Sequence, residues 1–387
     1  MRGSRLAGDK TKESGVRQQA ESQSPATTGA ESVLIGQDAK KSARGERPPV
    51  GQLRSVETQL QGILTVAFSA DGRLAILGSK DGRLHLWDVQ AGTELRQFTG
   101  HTEPIQCAQF SPDSRLVASG SGILLDSKDP TVRIWEVSTG REIASTRHVG
   151  IVTSVTFSQS GKRAASCSLD TTIRILDLEK VNEVQVLGPR SNRDGWRCVA
   201  FMPDGQSVIS GQDPIAIEAP SGGSQNWSSS FGLHKICVWK IGSNDEPRRF
   251  EGHTQSDKGH KERVNGIAIS ADGRRALSAS EDKTMRLWDV GTGTEIKRFD
   301  GHTCEVVSVC LSKDGRLALS GGGEKLQGGK PLSTDYTVRL WAVEGGQELH
   351  SFSGHRGRVM SVAFSPDGTT ALSGSADGTI REWSLPR

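Results

Sequence analysis

Apolar and polar residues alternate with a period of two in short runs along most of the chain, and glycine-bearing turns separate the runs. The stretch from Gly354 to Trp383 shows the unit. Val359 to Phe364 alternates, Pro366-Asp367-Gly368 turns, Ala371 to Ser375 forms a second run, Asp377-Gly378 turns again, and Thr379 to Trp383 alternates once more. Such alternation marks half-buried strands, and Asp-Gly between two runs marks a tight hairpin. The stretch therefore reads as an antiparallel meander of three strands. The same text recurs upstream, with third strands closing at Trp87, Trp135, Leu176, Trp239, Trp288, Trp341 and Trp383.

Leu176 follows Trp135 by 41 residues and Trp239 follows Leu176 by 63, against roughly 40–45 for a four-stranded propeller blade. The pattern predicts an all-β, seven-bladed propeller of four-stranded antiparallel blades. Surplus length sits in insertions at Gly122 to Lys128, about Gly211 to Gly232, and Gly321 to Thr334, all between second and third strands. A fourth, Thr254 to His260, lies between an outer strand and the next inner one. In an antiparallel meander these connections emerge on one side, so one face is decorated and the other trimmed; long loops on a rigid scaffold mark the working face.

The repeat starts in mid-unit. Gln52 to Gln59 has the pattern of Glu94 to His101, an outer strand and the turn after it, and no outer strand follows Trp383. Residues 52–57 are expected to complete the last blade, which leaves no open sheet edge at the seam. Residues 1–49 are rich in Ser, Gln, Gly, Ala and charge, with Val33-Leu34-Ile35 their only apolar cluster. They bury too little to offset ordering entropy and are expected to form a disordered tail before a propeller at 50–387.

Composition adds exclusions. The formal charge of +3 belongs to residues 1–49, which hold nine Lys/Arg and six Asp/Glu, while 39 basic and 39 acidic residues balance in the remainder. A neutral propeller without a basic, aromatic stripe excludes nucleic acid and an anionic membrane as partners. No apolar run reaches transmembrane length, and the N-terminus lacks the apolar region of a secretion signal. The six cysteines contain no Cys-x-x-Cys pair, and five fall in predicted strands. They read as reduced, buried thiols in a cytoplasmic, monomeric propeller without metal or cofactor.

These residues resemble the WD40 family over 52–387. Gly-His opens units at His101, His302 and His355, Trp-Asp closes them at Trp87 and Trp288, and an Asp stands six residues before the closing position in six of seven units. The resemblance implies a buried hydrogen-bonded tetrad of His, Ser, Asp and Trp. Four units carry it whole: His101, Ser119, Asp129 and Trp135; His260, Ser278, Asp282 and Trp288; His302, Ser320, Asp335 and Trp341; and His355, Ser373, Asp377 and Trp383. Unit one has Gln59 for the His and Leu77 for the Ser. Unit three keeps His148, Ser166 and Asp170 but closes on Leu176, and unit four has Asn192 for the His and no matching Asp. Units one and four are expected to be the loosest blades.

Ser, His and Asp are also the parts of a nucleophilic hydrolase. Four copies, each closed by an indole N–H donor, and no Gly-x-Ser-x-Gly elbow argue for structure instead. Gly323 to Lys330 (GEKLQGGK) misses phosphate-loop spacing and is followed by Pro331, so it reads as a flexible loop. Asp71, Asp272, Asp314 and Asp367 are turn formers.

In the resembled family, partner contacts lie three and five residues after the His and one before the tetrad Asp. Carried over, these positions include Gly195, Arg197, Arg263, Asn265, Glu305, Arg358 and Met360, and Lys80, Leu169, Glu281 and Thr334. Trp227, with Phe231 nearby, lies in a polar insertion, where it either pins the loop or presents an aromatic anchor. Trp196 takes the place of Ile105, Val264, Val306 and Val359 and is expected in the core. The expected function is a non-catalytic scaffold or adaptor that binds other proteins through the loop-rich face. The alternatives are a regulatory or sensor module for a separate catalytic chain such as a kinase, and a small-ligand binder or enzyme using the central channel.

Overall fold

The Asp-Gly turns close as hairpins through their own side chains. Ser270 Oγ donates to Asp272 Oδ1 at 2.6 Å, and Ser365 Oγ does the same to Asp367 at 2.6 Å. The next residue, Gly273 or Gly368, takes a φ of 70° or 67°, the left-handed region that a Cβ disfavours. Ser69–Asp71 and Ser312–Asp314 repeat the arrangement. These carboxyls are held below the usual range, first by the serine hydroxyl and then by a backbone N–H.

The computed structural model describes residues 50–58, 60, 62–188, 195–213, 235–250, 259–327 and 330–386. Among them every regular element is a strand. Blade one is Ile63–Phe68, Leu74–Ser79, Leu84–Asp88 and Thr93–Phe98. Blade two is Ile105–Phe110, Leu116–Ser121, Thr131–Glu136 and Glu142–Arg147. Blade three is Val152–Phe157, Arg163–Ser168, Ile173–Asp177 and Asn182–Leu187. Blade four is Gly195–Phe201, Ser207–Asp213, Ile236–Lys240 and Arg248–Arg249, and blade five Val264–Ile269, Arg275–Ser280, Met285–Asp289 and Thr294–Phe299. Blade six is Val306–Leu311, Leu317–Gly322, Val338–Ala342 and Glu348–Phe352. Blade seven joins Val359–Phe364, Thr370–Ser375 and Thr379–Ser384 to Gly51–Glu57.

All seven blades are antiparallel, four-stranded sheets. The N-terminal strand closes the ring as the repeat phase predicts, with Gln52 opposite Trp383 and Val56 opposite Ile380. Each inner strand packs on the next, and that of blade seven packs on that of blade one.

The core lies between blades rather than within them. Seven apolar clusters fill the seven seams, such as Phe352, Val359 and Trp383 between blades six and seven. A Phe ending one outer strand packs on the next blade's Trp, with ring centroids 5.9 Å apart for Phe98–Trp135 and 5.2 Å for Phe352–Trp383. Such pairs contribute about 0.5–1.5 kcal/mol beyond their buried area. Blade three ends in Leu187, and there Trp196 supplies the ring, edge-on to Trp239 at 5.3 Å. Trp196 is buried, as its register predicts, and its Nε1 donates to Thr171 O at 3.0 Å.

Three local differences from the sequence expectation have physical causes. Gly211, Gln212 and Asp213 belong to the second strand of blade four, not to its insertion, because they pair with Cys198, Trp196 and Gly195. Glu324–Gln327 and Lys330–Thr334 pair as a hairpin where a flexible loop was expected, and Cys304 Sγ lies 3.1 Å from Ser333 Oγ at its base. The outer strand of blade four shrinks to Arg248–Arg249, since Pro247 lacks the N–H that pairing needs. The expected tail at 1–49, Asn192, Trp227 and Phe231 lie outside the described residues.

Candidate partner-binding face

Each tetrad hangs on one serine oxygen. In blade six Ser320 Oγ accepts Trp341 Nε1 at 2.8 Å and lies 2.7 Å from His302 Nε2, and His302 Nδ1 stands 2.9 Å from Asp335 Oδ2. The structure brings together the same atoms in three other blades. Trp135, Trp288 and Trp383 donate to Ser119, Ser278 and Ser373 at 2.8 Å, and His101, His260 and His355 bridge from those serines to Asp129, Asp282 and Asp377. Blade three joins His148, Ser166 and Asp170 without a Trp, and blade four joins only Trp239 and Ser210.

Burial pushes the His101 imidazole down to about 4 and lowers His260 and His355, each against the pull of its aspartate. Burial raises the Asp282 and Asp335 carboxyls, but hydrogen bonds and charge from His260 and His302 outweigh it and leave them well below the usual carboxylate range. All four tetrad serines are fully buried, so no substrate carbonyl can reach their hydroxyls. These groups lock each blade and are not a nucleophilic centre.

Blade one solves the same problem differently. Leu77 removes the acceptor, and Trp87 Nε1 is buried without a partner among the described residues. His85, on the third strand, fills the polar space with Nδ1 3.3 Å from Glu94 and Nε2 3.5 Å from Ser79 Oγ. In most other blades that strand position is Arg, bridged to a Glu nine residues on. Arg133–Glu142 spans 2.8 Å, Arg174–Glu183 2.6 Å and Arg339–Glu348 2.6 Å. Arg381 finds Gln52 on the closing strand instead. This spacing is present in the sequence and was not part of the expected site.

Above the tetrads, a bulge recurs in every inner strand, between residues such as Trp196 and Cys198, Val264 and Gly266, or Val359 and Ser361. The residue it leaves unpaired is Arg197, Asn265 or Met360, one of the positions taken from the family pattern. Bulges re-aim side chains, and here each lies at the start of an inner strand, on the side of the insertions. Asn265 does not face outward freely, since its Nδ2 donates to Val306 O of blade six at 3.0 Å.

The charged positions form one cluster over blades four to seven. Asp213, fully buried, holds Arg197 Nε at 2.8 Å on Oδ2 and Arg263 Nε at 2.9 Å from Oδ1. Arg263 Nη1 lies 3.6 Å from Glu281, and Arg358 Nη2 lies 2.6 Å from Glu305. Burial raises the Glu305 carboxyl, opposed first by Arg358, and Glu281 and Arg197 also act on it. Asp213 was missed because it stands at the edge of an insertion. Its register, equal to that of Glu281, is the signal that could have found it.

Blades two and three present the opposite character. Ile123, Leu124, Leu125 and Val149 are exposed, the middle two by 67% and 78%. Glu103 carries the insertion that holds the first three, accepting Lys128 N at 2.6 Å, Asp129 N at 3.1 Å and the Ser127 hydroxyl. Among the described residues no three His, Cys, Asp or Glu could hold a metal ion, and no helix is long and apolar enough to cross a membrane.

Known proteins resemble this chain in sequence. Human apoptotic protease-activating factor 1 is 26% identical over 371 residues, covering 82% of this chain and 28% of that protein. Arabidopsis thaliana periodic tryptophan protein 2 is 26% identical over 330 residues, covering 82% of this chain and 32% of its own length. Human eukaryotic translation initiation factor 3 subunit I is 24% identical over 328 residues, covering 82% of this chain and 92% of that subunit. The chain thus spans less than a third of the first two. The family described as "WD domain, G-beta repeat" matches residues 51–88, 92–136, 140–177, 248–289, 293–342 and 346–384. Each match runs from one blade's outer strand to the next blade's third strand, and the gap falls on blade four, which lacks the tetrad Asp. With six repeats over more than half of its residues, the chain belongs to the WD40 repeat family.

Proposed function

We propose that the protein is a non-catalytic platform that binds other proteins through its loop face. The observation that carries this reading is the asymmetry of the two faces. One has tight Asp-Gly turns, whereas the other carries the Gly122–Lys128 insertion, the Glu324–Thr334 hairpin, exposed leucines and a charged channel mouth. Arginines and exposed apolar side chains are the residue types that anchor protein interfaces. Six free thiols fit a reducing compartment such as the cytoplasm. Mouse serine-threonine kinase receptor-associated protein, 24% identical over 265 residues and matching 61% of this chain and 67% of its own length, supports a second reading, a regulatory module for a separate catalytic chain.

Affinity purification from a lysate of the source cells, with mass spectrometry, tests the platform. Wild type runs beside a variant carrying Leu124→Asp, Arg263→Ala and Arg358→Ala and beside Arg274→Gln on the trimmed face. Partners lost only with the triple variant, at an unchanged denaturation midpoint, are the expected result. Partners kept by the triple variant overturn the loop face as the interface.

A further inference from the structure

The seven seams are not fastened alike. In five of them a long polar side chain on one outer strand donates to carbonyls in the next blade's turn between third and outer strands. Arg54 reaches Val89 O at 2.9 Å, Arg96 reaches Ser138 O at 3.1 Å, and Gln185 reaches Ser243 O at 3.0 Å. Arg248 reaches Gly291 O at 3.1 Å and Lys297 reaches Gly345 O at 3.1 Å. All five share one register, opposite the third-strand residue before the closing Trp or Leu. The second fastening is the aromatic pair, Phe on Trp or Trp196 on Trp239, which also occurs at five seams.

Seam six–seven has the pair but no latch, with His350 at the register. Seam seven–one has the Arg54 latch and sets Val56 against Trp87 in place of the pair. Seam two–three lacks both among the described residues. Ala144 stands at the latch register, opposite Ile134, and is too short to reach a turn. Thr146 takes the place of the Phe and Leu176 that of the Trp. Between the outer strands a single bond crosses, from the half-buried Thr146 Oγ1 to Glu183 at 3.1 Å.

The same two blades hold backbone strain. Of the five non-glycine residues with positive φ among the described residues, four lie in blades two and three. Ser114, Thr171 and Val181 have φ of 58°, 75° and 52°, at the turn positions that Gly72, Gly82 and Gly92 fill in blade one. A Cβ disfavours this region, most of all on the branched Thr and Val. On the loop side Gly122, at the base of the blade two insertion, lies against Ile151 of blade three.

We propose that the ring yields first at the seam between blades two and three, a hinge that shifts the blade two insertion against blade three while the other six seams stay closed. The hinge is independent of what the loop face binds.

The chain's own thiols read it. Cys107 lies in this seam, beside Gly120 and Val152, and Cys310 lies in seam six–seven. Both are free and half-buried, and burial raises both thiols, Cys310 to about 12. Cys237 lies in seam three–four. The full chain is labelled with iodoacetamide in sub-denaturing urea, and mass spectrometry gives each rate relative to the unfolded chain. Cys107 is expected to label at lower urea than Cys310 and Cys237. Ala144→Arg supplies the missing latch and is expected to slow Cys107 about two- to tenfold, the range for one added hydrogen bond, with Cys310 unchanged. Val181→Gly relieves strain and is expected to slow it too; it alone decides if Ala144→Arg lowers the urea midpoint. Arg248→Ala is expected to quicken Cys198, whose Sγ lies 3.7 Å from Val264 O across seam four–five. Equal labelling of the thiols, or a Cys107 rate that neither variant slows, overturns the proposal. So does labelling of Cys237 together with Cys107 ahead of Cys310, which means that blade three unfolds whole.

Discussion

Removing one oxygen atom from a tetrad serine should cost more where two ring nitrogens depend on it than where one does. Ser320→Ala keeps the Cβ and the packing and takes away the acceptor of Trp341 Nε1 at 2.8 Å and the partner of His302 Nε2 at 2.7 Å. A buried polar group left unsatisfied costs about 1–3 kcal/mol, so the double loss is expected to cost about 2–4 kcal/mol. Ser166→Ala strands only His148, 2.9 Å away, because Leu176 has no donor. Ser210→Ala strands only Trp239, 2.8 Å away. Each single loss is expected to cost about 1–2 kcal/mol. The three serines are equally and fully buried, so burial does not confound the comparison. Urea denaturation followed by tryptophan fluorescence and by circular dichroism reads the midpoints, with an unchanged slope as the condition for comparing them. Three equal losses, or a smaller loss at Ser320 than at the other two, would refute the reasoning that the shared oxygen is what holds the tetrad.

Three further outcomes follow from the same contacts. Deleting residues 50–60 removes the partner of Thr379–Ser384 and exposes that edge; lower melting temperature and concentration-dependent aggregation by light scattering are expected, and an unchanged melt contradicts the closure. Acid should destabilise the fold from near neutrality, because His101, held near 4 against an ordinary 6.5, stays neutral while the unfolded chain takes up a proton. Its stabilisation is complete above about pH 6.5 and lost toward pH 4, about 2 kcal/mol of it between pH 7 and pH 5; a flat urea midpoint over that range refutes the assignment, and the lowered aspartates keep their full stabilisation over it, losing it only below their own unfolded range. Glu103→Ala removes the acceptor of Lys128 and Asp129 N–H, so hydrogen exchange at those two amides is expected to quicken while blades six and seven exchange as before.

Strand order, blade number and the closing strand were legible because repetition displays them. A period of two names a strand, and a Trp recurring in register names its place in the sheet. The tetrads were legible for the same reason. His85 was not, because it stands at the third-strand position that holds Arg in most other blades, facing a Glu nine residues on as they do, and no register comparison at the Gly-His position points to it. Asp213 was hidden by an insertion that begins one residue later, where alternation stops being informative. The Glu324–Thr334 hairpin was hidden by glycines, which weaken strand propensity without forbidding a paired arm. The short outer strand of blade four was readable from Pro247, had the missing N–H been weighed against the pairing it interrupts.

Repetition also sorts residues by what they do. A side chain needed to close every blade recurs in most of them, as Ser119, Ser166, Ser210, Ser278, Ser320 and Ser373 do. Asp213 breaks that rule. It is as buried as the serines, yet the same register elsewhere holds Lys80, Gly122, Leu169, Glu281, Gly323 and Ala376, so the blade does not require a carboxylate there. A buried carboxylate costs desolvation that only its two arginines offset, and the ring gains no seam packing from it. An isolated ion cluster of this kind adds little to stability when weighed against apolar residues of similar volume. The carboxylate at this register, paired with Arg197 and Arg263, is therefore not a requirement of the repeated frame. That separates the molecule into a repeated frame, carried by the tetrads and the seams, and an unrepeated surface, carried by Arg197, Asp213, Arg263 and the leucines across from them.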